Sequence, residues 1–108
     1  MPSSNTSGGY DYVLDVHQIS TAYRSLALCQ ALLGEPIEDT MDNLSVALNN
    51  YADISSVNGV AMTLIYEALV YLIDFKNNKN FRSLRHAEDI LWKVYFVVFR
   101  CGLKKYYI

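Results

Sequence analysis

The chain has 108 residues, a net charge of −2, and an apolar fraction of 52% on a count that includes nine tyrosines. That is enough for one core and no room for a second, and two cysteines with no CxxC spacing exclude a disulfide framework. The opening MPSSNTSGGYDY lacks the basic and apolar regions of a secretory signal, so a cytoplasmic protein with reduced, buried thiols is expected.

The small net charge hides an asymmetry. Residues 1–53 hold seven acids and one base, Arg24, whereas residues 54–108 hold eight bases and four acids. The expected consequence is that the two halves attract each other within the fold.

Residues 1–10 are rich in Ser, Gly and Asn and predict a disordered leader before a single helical domain over 11–108. The first helix is predicted over 12–33. Ile19, Ala22, Leu26, Cys29 and Leu33 recur at the three-and-four spacing of a buried stripe, with Tyr23 widening it. Gln18, Thr21, Arg24 and Ser25 would then face water. Gly34 supplies a left-handed stop, and Pro36 fits a helix start because its missing N–H would be unpaired there anyway. Gly-Glu-Pro thus predicts a tight hairpin of two antiparallel helices.

The second helix, predicted over 36–53, has an inner seam of Ile37, Met41, Leu44, Leu48 and Tyr51. Its outer face carries Glu38, Asp39, Asp42 and Asp53 and no base. Such a face is offered either to solvent or to a basic partner, and these four residues are the candidate partner-binding set.

Ser55, Ser56 or Asn58 can cap a third helix over 57–75. This stretch, VNGVAMTLIYEALVYLIDF, is apolar on nearly all sides and predicts the most buried element of the fold. Thr63, Glu67, Tyr71 and Asp74 form its one polar strip, expected on the surface, with Glu67 the position whose burial would raise its pKa. Glu67 lies past the midpoint of the apolar run, which argues against a membrane span.

Lys76–Asn80 predicts a polar turn, with Asn80 capping a fourth helix over 81–101 that Gly102 would end. Its second half, Val94–Phe99, is continuously apolar. A short strand competes with helix there, and helix is preferred. Four helices joined by short links predict an all-α antiparallel four-helix bundle, with Cys29 and Cys101 at opposite poles, too far apart to bond.

The motifs that carry chemistry are thin. Arg82 and His86, one turn apart, resemble the Arg-x-His element of the HEPN ribonucleases, which places four to six residues between the pair where this chain has three. That resemblance covers five residues and implies a helical RNase with these two residues at its centre. His86-Ala87-Glu88 lacks the Pro-Cys-x-x-Cys half that a zinc deaminase needs, and the pair Glu38 and Asp42 is a solvated acidic turn rather than a cation site. No metal, cofactor or catalytic residue is expected.

The favoured expectation is therefore a small non-catalytic protein that binds or masks a macromolecular partner, as a homodimer and without a membrane. Its self-association surface would be the apolar surplus at Tyr95, Val98, Phe99, Tyr106 and Tyr107. The alternative is a nucleic-acid-binding regulator that contacts phosphates through Lys76, Lys79, Arg82 and Arg85.

Overall fold

A computed structural model of the chain describes the backbone of residues 8–106 and the side chains of residues 11–100. It is an all-α four-helix bundle: α1 (Gly8–Leu32), α2 (Ile37–Asp53), α3 (Val57–Asn78) and α4 (Phe81–Tyr106). The links are as short as expected. Gly34 is left-handed with φ 81, and Pro36, at φ −56 and ψ 137, stands immediately before the first turn of α2. Ser56 caps α3 by accepting from the Gly59 N–H at 3.0 Å, and Asn80 caps α4 by accepting from the Arg82 N–H at 3.1 Å.

Three bounds differ from expectation. α1 begins at Gly8, so residues 8–10 of the predicted leader are helical; residues 1–7 lie outside the described part. α3 continues through Lys76–Asn78, which leaves only Lys79 and Asn80 as the turn. Lys79 takes the left-handed conformation that ends the helix. α4 is continuous through Val94–Phe99 and passes Gly102, because a glycine inside a helix costs only about 1 kcal/mol and does not by itself terminate one.

Neighbouring helices run antiparallel. Thr21 and Asn43 of the first hairpin meet Tyr51 and Gln30, so that residue numbers rise along α1 as they fall along α2. In the same way, Tyr71 lies on His86 and Phe75 on Phe81 across α3 and α4. α1 and α2 both pack on one side of α3, whereas α4 packs on α3 alone and, among the described residues, reaches neither α1 nor α2. The bundle is therefore opened into a layer of 51 × 41 × 14 Å. Its radius of gyration is 16.0 Å, against about 13 Å for a compact chain of this length.

Two small cores flank α3. On one side Ala27, Ala31, Leu44 and Val70 pack with Met41, Tyr66 and Ile73. On the other, Ala68, Ala87 and Ile90 pack with Leu64, Tyr71 and Leu72. α3 is the central helix, but it is not buried all round: Met62 and Leu69 are exposed. It is also long and apolar enough, by length and composition, to cross a membrane, with 28% of its most apolar window buried.

The contacts are made by small residues. Ser20, Thr40 and Thr63 are buried beside the alanines, and each hydroxyl donates back to the carbonyl four residues earlier, at 2.6, 3.5 and 2.7 Å. With their polar groups satisfied in this way, such side chains let helix backbones approach closely. At Gly59 the approach is extreme, since a Cβ there would fall inside the ring of the fully buried Tyr51.

α1 is turned about its axis relative to expectation. The residues facing the core are Ser20, Ala27 and Ala31, with Arg24 half-buried beside them. Ile19, Ala22, Leu26, Cys29 and Leu33 are exposed. The expectation of a buried Cys29 thiol is corrected with them, while the Cys101 side chain lies outside the described residues.

Candidate interaction surfaces

The junction of α1, α2 and α3 is polar and aromatic. The Arg24 guanidinium lies over Tyr66 at 4.9 Å and Tyr51 at 5.6 Å, with the exposed ring of His17 edge-on to Tyr51 at 5.3 Å. Thr21 Oγ1 and the Tyr51 hydroxyl share a hydrogen bond at 2.5 Å. A side chain expected in water thus joins three helices through its π contacts.

Glu38, Asp39, Asp42 and Asp53 are all exposed along the outer side of α2. Asn43, from the same expected polar face, is instead half-buried and donates to Gln30 Oε1 at 2.7 Å. The structure therefore keeps the four carboxylates exposed and uses the neutral residue to lock α1 to α2.

Lys76, Lys79, Arg82 and Arg85 are likewise exposed, around the α3–α4 corner. Arg85 Nε lies 3.9 Å from Glu88 Oε1 within α4, a surface pair worth little. Among the described residues, the expected attraction between the two halves is not made through α4, because α4 does not come beside the acidic α1 and α2. His86 is exposed over the ring of Tyr71 at 5.0 Å, one turn from an exposed Arg82. No group of three His, Cys, Asp or Glu side chains among the described residues converges on a metal position.

The strip Thr63, Glu67, Tyr71, Asp74 does not lie on the surface as expected. Thr63 is buried and the other three are half-buried against α4. Burial pushes the Glu67 carboxyl above its usual 4.5, and Lys93 on α4 pulls it part of the way back. Burial also raises Tyr71, with the Glu67 and Asp74 charges adding to it. Asp74 shifts the other way: hydrogen bonds from Ser83, Asn78 and Asn80 hold it below its usual 3.8 against a smaller desolvation cost. Ser83 donates to Oδ2 in a short bond, Asn80 to the same oxygen at 3.2 Å, and Asn78 to Oδ1 at 2.8 Å. Asp74 is thus the pin of the α3–α4 corner, a role its sequence neighbourhood does not advertise.

A concavity of about 870 Å³ is an apolar groove along α4 beside Leu72 of α3, lined by Phe81, Leu84, Leu91 and Trp92 together with Arg82 and Arg85. Farther along α4, Tyr95, Phe96, Val98 and Phe99 are all about half exposed, and Tyr95 stacks on Phe99 at 5.5 Å. Of the expected self-association residues, Tyr95, Val98 and Phe99 therefore share one solvent-facing surface; the side chains of Tyr106 and Tyr107 lie outside the described residues. Compared with protein-family models, curated proteins and solved structures, the chain matches none of them.

Proposed function

We propose that this is a small, non-catalytic, cytoplasmic interaction protein that works as a homodimer and binds or masks a macromolecular partner. The observation that carries the reading is the placement of bulk: Leu26, Leu33, Trp92, Phe96 and Phe99 are each about half exposed or more, while ten of the fifteen buried side chains among the described residues are alanine, serine or threonine. Apolar surface of this extent on a small chain is characteristic of protein contacts rather than of a reaction centre. The carboxylates of α2 supply a second, chemically different surface, suited to a basic partner that itself grips nucleic acid.

Affinity capture with the wild type and with a Glu38→Lys/Asp42→Lys variant tests the partner surface. A partner held by the first and lost by the second supports the reading; identical capture sinks the α2 assignment. The competing reading, phosphate contact through Lys76, Lys79, Arg82 and Arg85, draws on the exposure of all four. It requires salt-sensitive binding of labelled DNA or RNA, and no affinity at low salt removes it. RNase action at Arg82 and His86 requires activity that His86→Ala abolishes.

A further inference from the structure

α1 and α4 flank the helical layer, and each keeps one apolar seam within the chain and turns another to solvent. On α1 the open seam is Ile19, Ala22, Leu26, Cys29, Leu33, at alternating spacings of three and four. On α4 it is Leu84, Leu91, Tyr95 and Val98, with the charged Glu88 at the remaining position of the same alternation and beside the groove. We propose that the groove on α3 and α4 receives α1 of a second copy of this chain, antiparallel, and that the second copy's groove receives α1 of the first. This rests on the homodimeric reading above and names the elements that meet.

One antiparallel register aligns the two seams along their whole length. With Leu33 over Leu84, Leu26 falls on Leu91 and Ile19 on Val98, while the small Ala22 meets Tyr95 and Cys29 meets Glu88. Large residues face aliphatic ones and small residues face long ones, as interlocking seams require. The parallel arrangement of the same seams sets Ile19 on Glu88 and Leu33 on Gly102, losing both end layers.

Charge selects the same pairing. In the antiparallel register the C-terminal end of α1, which Glu35 follows across the left-handed Gly34, comes to the start of α4 at Arg82, and Asp15 comes near Arg100, all four being exposed in the single chain. Pairing α4 with α4 would set Arg82, Arg85, Lys93 and Arg100 against their own copies, and pairing α1 with α1 would oppose acids, so both self-pairings cost energy.

Exposed apolar surface points the same way: Ile19, Leu26, Leu33, Leu91, Tyr95 and Val98 are each between 44% and 76% exposed in the single chain, and together they form the continuous apolar surface that a subunit interface covers. A two-fold axis along the helices supplies the geometry, since it exchanges the two docking contacts and leaves no open end.

The register is tested by cross-linking. In full-length chain carrying Cys101→Ser, the exposed Glu88→Cys change places a thiol opposite Cys29 of the other copy. Mixing ¹⁴N- and ¹⁵N-labelled chains before mild oxidation separates bonds between chains from bonds within one. The expected result is a covalent dimer in which hybrid-labelled peptides join Cys29 to the introduced thiol. Bonds only between two Cys29 residues, or only between two introduced thiols, overturn this docking while leaving the homodimer intact. The Cys29-to-introduced-thiol bond formed within single chains also overturns the docking, as closure of the bundle on itself. A wild-type chain that sediments as a monomer overturns the homodimeric reading as well. As a second measurement, Glu35→Arg should weaken the dimer several-fold at low salt and Arg82→Glu in the same chain should restore it; no rescue contradicts the register.

Discussion

Toward α3, the helix α4 presents Ser83, Ala87, Ile90 and Val94, all buried; from a quarter to a half turn away it presents Leu91, Trp92, Tyr95 and Phe99, all exposed. α1 repeats the contrast, with Ser20, Ala27 and Ala31 inside and Ile19, Leu26 and Leu33 outside. The two kinds of seam do different work. Small inner residues set close helix approach and a defined geometry, but each removes little apolar area from water. A large side chain contributes about 1.5–3 kcal/mol when fully buried, so much of the hydrophobic free energy held by this sequence is unrealised in one chain. The inner seams determine the shape of the chain, and in the proposed dimer the outer ones determine what it joins.

The contrast is broken most severely at Tyr51, the largest fully buried side chain. Tyr51→Ala removes the ring against which Arg24, His17 and Gly59 pack, and should cost about 3–5 kcal/mol, read from the denaturation midpoint. A cost below about 1 kcal/mol would show that the small-residue junction is not the stabilising centre. Gly59→Ala, which puts a methyl group into the same ring, should cost about 1–3 kcal/mol despite the better helix propensity of alanine.

At the α3–α4 corner, Asp74→Ala leaves Ser83, Asn78 and Asn80 without their acceptor and should cost about 1–3 kcal/mol. The pH dependence has a definite sign. Because the folded-state pKa lies below the unfolded one, the Asp74 contribution is present above the usual 3.8 and is lost as pH falls through the lowered value. In the variant that part of the acid sensitivity should disappear, as acid titrations of both proteins would reveal.

The outer seam should respond in the opposite way. Phe99→Glu should change the unfolding free energy of the monomer by no more than about 0.5 kcal/mol, yet dissociate the dimer, as sedimentation at matched concentrations would show. Parallel losses of fold and association would erase the distinction between the seams. The smallest effect is expected at Glu67. Its raised pKa means that ionisation opposes folding as pH rises through and above 4.5. Glu67→Gln should therefore be neutral to slightly stabilising at pH 7, the lost attraction to Lys93 offsetting part of the gain.

Much of the fold was legible in the sequence because its punctuation is local. Gly34 with Pro36, Ser56 and Asn80 each act through their own backbone neighbourhood, and each ends or starts a helix where expected. The acidic face of α2 was legible too, because four carboxylates with no base among them leave few other placements. The orientation of α1 was not. Hydropathy marks the stripe through Ile19, Leu26 and Leu33 as the inner one, whereas close packing selected Ser20, Ala27 and Ala31, which carry almost no hydropathy signal. A rule that buries the largest apolar residues fails where a helix has two seams and the chain covers only one of them. Arg24 was misplaced for a related reason: its stem and planar head pack on Tyr51 and Tyr66, which charge alone does not indicate. Gly102 signalled a stop that the helix does not obey.

The central claim, that the outer apolar seams are covered by a second copy of the chain, is tested most directly by the sedimentation mass of the wild-type protein at tens of micromolar. A mass of twice 12.3 kDa is expected; a single 12.3 kDa species would contradict it.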